Sequence, residues 1–271
     1  MSISITSSQN PKIRFAVSLQ KAAVRKKEKL FLVEGIREIR LAMLAGFQFD
    51  TLFVCSKIAE DLTKKTVIDD LTGQVQIIET TDRVFSKLAY REGSDGLMAV
   101  AHQKYHSLSD ITFKGTPLIL VVESVEKPGN LGAILRTADA GGVDAVLVCD
   151  GRTDIFNPNV IRSSLGSIFT NKVVSCSSRD AIDWLKAVNI KIYTTALTAS
   201  RPYHQIDYTV PSAIVTGSEA TGVRSVWEDS SDSNIIIPMS GKVDSMNVSV
   251  AASIVLYEAL RQRDFPGAKF P

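Results

Sequence analysis

Apolar positions along this chain follow two rhythms, a helical spacing near 3.6 and short unbroken runs typical of buried strands. Residues 9–27 predict a basic helix, with Ile13, Val17 and Leu19 set among Lys and Arg. FLVEG (31–35) is an apolar run stopped by glycine, and 36–45 returns to helical spacing through Ile36, Ile39, Leu41 and Leu44. Strand-like TLFVC (51–55), QVQIIET (74–80) and GLMAVAH (96–102) follow, with a helix over 81–90 opening on a Thr81 or Asp82 cap. These hundred residues form a small α/β unit. The polar stretch 103–116, which lacks a sustained period, reads as a linker.

Beyond it the runs lengthen. LILVVE (118–123), AVLVC (145–149), KVVSC (172–176), IKIYTT (190–195), SAIVTG (212–217) and NIIIP (234–238) are dense in Val and Ile with little alternation. Such strands are buried on both faces of a parallel sheet. Helical patterns at 131–141, 158–168, 178–188 and 248–263 separate or follow them. Strand and helix in alternation predict a doubly wound α/β sheet, with ligand sites at the carboxyl ends of its strands. The expected division is 1–102, a linker at 103–116, and a second domain at 117–271.

Composition adds little until it is divided along the chain. The 271 residues are 45% apolar and 22% charged, an ordinary globular balance that excludes a disordered or collagen-like chain. The formal charge of +2 conceals an uneven distribution. Residues 1–40 hold nine Lys or Arg against Glu28, Glu34 and Glu38, so this segment is +6 and the remainder is −4. No run approaches the ~18 apolar residues of a membrane span, and the amino terminus lacks a signal-peptide pattern. Cys55, Cys149 and Cys176 are widely spaced and read as buried small hydrophobes in a reducing compartment. They form no metal-ligand spacing with His102, His106 or His204. The expectation is a cytoplasmic protein without a metal.

Three loops carry polar chemistry at strand ends. Residues 126–138 turn at Pro128-Gly129 and enter a helix, where Asn130 fits an N-cap. Arg136 lies six residues on and projects from the helix body. This is either a capped turn with a solvated Arg or the start of a site. In residues 216–223, Gly217 and Gly222 frame a turn whose amides could face a polar ligand, although neither a dinucleotide fingerprint nor a phosphate loop is present. Glu219 there could equally be a first-turn carboxylate favoured by a helix dipole. Residues 236–249 gather Ser245, Asn247 and Ser249 where one capping residue would suffice.

Taken in order, Asn130-x-Gly132-x-x-x-Arg136, Gly217-Ser-Glu219-x-x-Gly222, and Ile237-Pro-Met leading to Ser245-Met-Asn247-Val-Ser resemble the SpoU/TrmH family of RNA ribose 2′-O-methyltransferases. The likeness spans 117–263 and includes Asn157-Pro-Asn-Val-Ile-Arg-Ser-Ser-Leu-Gly. Ser8-Gln-Asn-Pro-Lys-Ile and Phe31-Leu-Val-Glu-Gly-Ile-Arg are similar to the RNA substrate-binding domain, related to ribosomal RNA-binding proteins, that many members carry. The resemblance implies a C-terminal SPOUT domain with a mostly parallel sheet and a deep trefoil knot, binding S-adenosylmethionine and acting as a homodimer. General topology rules disfavour knots, so periodicity alone leads to an unknotted thread.

By the same resemblance, Gly217, Ile237 and Met246 hold the methyl donor through backbone groups, with Met239 as a wall. Asn130, Arg136, Glu219, Ser245 and Asn247 form the catalytic set. In the family the residue matching Arg136 is assigned the task of deprotonating the ribose hydroxyl, yet a guanidinium remains protonated above pH ~12. Holding the target phosphate is the competing role. Lys12, Arg14, Lys26, Lys27, Lys29 and Arg37 would then face RNA phosphates. The substrate expected is ribosomal RNA ahead of transfer RNA. The rival reading is a non-catalytic RNA-binding or assembly factor that has kept the fold.

Overall fold

The computed structural model describes residues 3–55, 62–90, 94–113, 115–197, 200–218, 220–242 and 245–268. In chain order its elements are β1 (Ile3–Ile5), α1 (Pro11–Ser18), α2 (Ala22–Glu28), β2 (Leu30–Glu34), α3 (Ile36–Leu44), β3 (Phe49–Cys55), α4 (Leu62–Leu71), β4 (Gln76–Thr80), α5 (Asp82–Leu88) and β5 (Leu97–His102). They continue as β6 (Leu118–Glu123), α6 (Pro128–Gly141), β7 (Ala145–Cys149), α7 (Pro158–Ser163), α8 (Ser167–Thr170), β8 (Val173–Cys176), α9 (Ser178–Ala187) and β9 (Lys191–Thr195). The last are β10 (Arg201–Pro202), β11 (Ser212–Thr216), α10 (Ser225–Ser230), β12 (Ser233–Ile236) and α11 (Val248–Gln262). By packing they separate into two units, Met1–Lys104 with Asp154–Thr170, and Tyr105–Thr153 with Asn171–Pro271. Residues 154–170 thus belong with the first unit, although the sequence division at 117 assigns them to the second domain.

The first unit is built on a mixed sheet ordered β1-β4-β3-β5-β2, in which β5 runs antiparallel to both β3 and β2. On one face Leu32, Phe53, Ile78, Met98 and Val100 pack with Ile13 and Ala16 of α1, with Leu19 at its C-cap, and with Val84, Phe85 and Leu88 of α5. Elsewhere in the unit Phe31 meets Phe156 at 4.5 Å between ring centroids, and Phe47 meets Phe169 at 5.1 Å edge-on. These rings explain why residues 154–170 pack here.

The single helix expected over 9–27 is two helices. The buried Arg25 (1% exposed) donates Nη1 to the carbonyls of Leu19 and Gln20 at 2.8 Å, and Nε to Asp154 Oδ2 at 2.7 Å. It satisfies the carbonyls that the break would otherwise leave unpaired. One of the nine basic residues of the front end is therefore structural and unavailable to a partner. The helix expected over 158–168 also divides, because Leu165 and Gly166 adopt positive φ of 53° and 80° between α7 and α8.

The second unit is a wholly parallel seven-stranded sheet, β10-β12-β9-β11-β6-β7-β8. Ile119, Val121, Leu147, Ile192 and Val215 face Ala181, Ile182 and Leu185 of α9 and Trp227 of α10. Helices α6 and α11 pack together, and α11 lies against β11. The expected linker is not featureless. His106 forms a bridge with Val174, and Ser107 caps a 3₁₀ turn over Leu108–Asp110. Cys149 and Cys176 are register partners on β7 and β8, with sulfurs 3.8 Å apart. The contact to Cys176 and burial together raise the Cys149 thiol pKa, keeping it protonated. Among the described residues no helix is long and apolar enough to cross a membrane.

Candidate functional site

A parallel sheet leaves the carboxyl ends of its strands facing loops, and a cleft forms where the strand order reverses. Here β11 lies between β9 and β6, and the loops after β9, β11 and β12 surround a cleft of about 560 Å³. Its lining comprises residues 195–197, 216–218, 220–223 and 235–237, with Glu228, Met239, Ser245, Met246, Val248 and Ala251. Isoleucine, valine and methionine walls beside exposed loop backbone suit a flat heterocycle carrying polar substituents.

Gly217 shapes one wall. The chain leaves β11, turns, and returns beside itself, with Ser218 and Gly222 exchanging two backbone hydrogen bonds of 3.0 Å. The Ser218 hydroxyl accepts from Thr221 N at 3.1 Å and shares a hydrogen with its hydroxyl at 2.8 Å. The fold-back is so close that a Cβ on Gly217 would lie 2.1 Å from the Gly222 carbonyl carbon. Gly222 itself has φ of +66°. Both glycines of the sequence motif are therefore required by geometry.

A second arrangement joins α6 and α11. Asn247 caps α11 through Oδ1, accepting from Ser249 N at 2.9 Å and from its hydroxyl at 2.6 Å. Its Nδ2 donates to Asn130 Oδ1 at 3.1 Å across 117 residues of sequence. Further along, Thr137 and Ser253 share a hydroxyl hydrogen bond of 3.0 Å. Asn130 is not the N-cap of α6. Lys127 occupies that position and Pro128 the first turn, which leaves the Asn130 side chain within the helix start and able to reach Asn247. Arg136 is exposed on α6.

The structure thus gathers the residues singled out from sequence into two groups. Gly217, Ile237, Met239, Met246 and Ser245 line the cleft. Asn130 and Asn247 bond to one another and, like Arg136, are not among its lining residues. Glu219 lies outside the described residues. Lys12, Arg14, Lys26, Lys27, Lys29 and Arg37 are all exposed on the first unit.

Two features had no signal in the sequence. Glu228 is the one charged residue among the described cleft-lining residues. The other is a cluster around Glu123, fully buried at the end of β6, whose carboxylate accepts from Arg224 and Ser178. Arg224 also reaches Asp150. Partial burial opposes ionisation of Asp150, but hydrogen bonds from Ser178 and the Arg224 charge outweigh it and hold the carboxyl below its usual range. The hydrogen bond to Glu123 raises the Arg224 pKa. Residue pairs about a hundred positions apart leave no local pattern.

With this geometry in view, known proteins supply the context. The profile of the SpoU rRNA Methylase family matches residues 117–257, and that of the MRM3-like substrate binding domain matches residues 10–99. The 23S rRNA (guanosine(2553)-2'-O)-methyltransferase RlmP of Bacillus subtilis is 32% identical over 93% of this chain and 97% of its own length. A crystal structure of an RNA 2'-O ribose methyltransferase is 37% identical, covering 97% of this chain and 99% of that one, with a TM-score of 0.83. The AdoMet-bound rRNA methyltransferase of Sinorhizobium meliloti is 27% identical over 96% and 98% of the two chains, with a TM-score of 0.88.

Proposed function

The chain belongs to the SpoU rRNA methylase family, and from that premise we propose that it is an S-adenosylmethionine-dependent methyltransferase acting on a ribose 2′-hydroxyl of ribosomal RNA. The observation that carries this reading is the cleft at the ends of β9, β11 and β12, lined by all four residues expected to hold the donor. Gly217, Ile237 and Met246 would bind it through backbone groups, with Met239 closing the apolar side. When bound, S-adenosylmethionine supplies a methyl group activated by a sulfonium.

The remaining work falls to the protein. A ribose hydroxyl is a weak nucleophile, so alignment and transfer of its proton to an RNA phosphate or a water dominate the barrier. Arg136 holds the target phosphate through its guanidinium fork and orients the hydroxyl. The Asn130–Asn247 bond fixes α6 against the start of α11, and so sets where Arg136 projects. Ser245 and Glu219 complete the polar set. Exposed Lys12, Arg14, Lys26, Lys27, Lys29 and Arg37 dock RNA through its phosphates, a salt-dependent and weakly sequence-selective contact.

The enzyme works in the cytoplasm as a homodimer. Val250 (48% exposed) and Tyr257 (45%) flank Ile254 along one face of α11, an apolar stripe suited to a second copy. A trefoil knot near the C-terminus completes the fold.

The test is methyl transfer from labelled S-adenosylmethionine to purified ribosomal RNA, followed by alkaline hydrolysis. A 2′-O-methyl group protects its phosphodiester, so label is expected in alkali-resistant dinucleotides. Label released as mononucleotides would place the methyl on a base, and no incorporation into free or ribosome-bound RNA would favour an assembly factor.

A further inference from the structure

Glu123 closes an otherwise apolar strand, and its side chain is fully buried. A carboxylate there has lost its hydration and needs donors in return. Arg224 donates its backbone N–H to Oε2 at 2.7 Å and its Nε to Oε1 at 2.6 Å, and the Ser178 hydroxyl donates to Oε1 at 3.1 Å. The same guanidinium continues to Asp150, just beyond β7, and donates to Ser178 Oγ at 2.9 Å. Ser178 Oγ also accepts from the indole of buried Trp227 at 2.9 Å. Every group in the cluster therefore has partners, although the Arg224 side chain is 55% exposed.

What the cluster restrains is the turn to which residues 217–218 and 220–223 belong. That segment forms a wall of the cleft, is fixed at its entry by β11, and reaches Arg224 at its exit. Exchanging a buried ion pair for apolar residues of similar volume is often neutral or stabilising, so net stability is a poor account of this one. A charged pair with a single satisfying geometry does something apolar packing does not, since it admits only one position for the backbone that carries it. Here that backbone is directly involved, because the Arg224 N–H is itself a donor to Glu123.

We propose that Glu123 and Arg224 are positioning residues for the methyl donor, locking the exit of the turn at Gly222 and Val223 so that this part of the cleft wall is preformed. This rests on the methyltransferase reading above. A preformed wall spares the donor the ordering of a loop on binding.

The experiment uses the full chain with Glu123→Gln, Arg224→Lys and the double variant. S-adenosylmethionine and S-adenosylhomocysteine are titrated calorimetrically, thermal unfolding is recorded without ligand, and kcat and KM are measured on RNA. Each single variant is expected to raise both Kd values roughly tenfold, the scale of a charge-assisted hydrogen bond. KM for the donor should rise in parallel, with kcat at saturation within about threefold of the parent. The double variant should be little worse than either single, because both break one contact. Half-exposed Arg224 makes Arg224→Lys the informative variant should Glu123→Gln fail to fold. Unchanged Kd in folded variants, whatever the melting temperature does, overturns the proposal alone. A parent protein that binds neither ligand overturns the methyltransferase reading and this proposal with it.

Discussion

Replacing Gly217 by alanine adds one methyl group to the wall of the cleft, and the structure fixes what that methyl would meet. An ideal Cβ lies 2.1 Å from the Gly222 carbonyl carbon and 2.3 Å from its oxygen and from the Val223 nitrogen. Real Cβ contacts essentially never fall under 3.0 Å, so the returning strand must withdraw by about 1 Å. These are backbone atoms, and none can rotate aside. The reciprocal Ser218 and Gly222 bonds, both 3.0 Å, then stretch toward 4 Å and are lost. At about 0.5–1.5 kcal/mol each they amount to about 1–3 kcal/mol, a factor of roughly 5 to 150 in any equilibrium that requires the closed turn. Calorimetric titration with S-adenosylmethionine should show Kd rising within that range. Gly241→Ala is the matched control, since nothing lies within 4 Å of its Cβ position. An unchanged Kd in Gly217→Ala would refute the assignment of this turn to donor recognition.

Four further outcomes follow from the same geometry. Arg136→Ala should retain donor binding and lose at least about a hundredfold in kcat, and full activity would remove Arg136 from the mechanism. Asn247→Ala removes the α11 cap as well as the bond to Asn130, costing about 1 kcal/mol in thermal unfolding, whereas Asn247→Ser should recover stability but not activity; joint recovery would show that capping is its only role. Changing Lys26, Lys27 and Lys29 to Gln should reduce the salt dependence of RNA affinity by about two in the log–log slope, and an identical slope would place the docking surface elsewhere. Asp150 titrates below its unfolded value, so its contribution is intact above about pH 4 and disappears as pH falls through the lower folded value. The parent should therefore lose more stability than Asp150→Asn on acidification below about pH 4, and parallel melting curves would contradict the role given to the Arg224 contact.

The strands of the second unit were legible because burial on both faces writes itself as an unbroken Val and Ile run. Six such runs correspond to β6, β7, β8, β9, β11 and β12. β1 escaped because it is three residues long, with Ser4 between its isoleucines. The break between α1 and α2 escaped because its cause, Arg25 bonding to two carbonyls and to Asp154, is tertiary. At the cleft the glycines and apolar residues were readable as a motif, since backbone proximity demands glycine whatever surrounds it. The Asn130–Asn247 bond was not, because each side chain has a sufficient local explanation as a helix-start residue. In the sequence Glu123 is only the last residue of the apolar run LILVVE. Only the fold brings Arg224 to it.

Residues 154–170 carry a consequence for how this protein could have been assembled in evolution. The buried side chains of Ile155, Phe156, Val160, Ile161, Ile168 and Phe169 are encoded within the methylase stretch, while the unit they pack in is otherwise encoded by the first 104 residues. At about 1.5–3 kcal/mol for each fully buried apolar side chain, they represent on the order of 10 kcal/mol, comparable to the whole stability of a domain. A recombination event that exchanged the front end at residue 104 would replace Phe31 and Phe47 while leaving in place the Phe156 and Phe169 that pack against them. Exchange of front ends between relatives is thereby restricted to those whose hydrophobic faces already fit the segment at 154–170. The graft to make is a pair of segments, and a single splice point will not carry it.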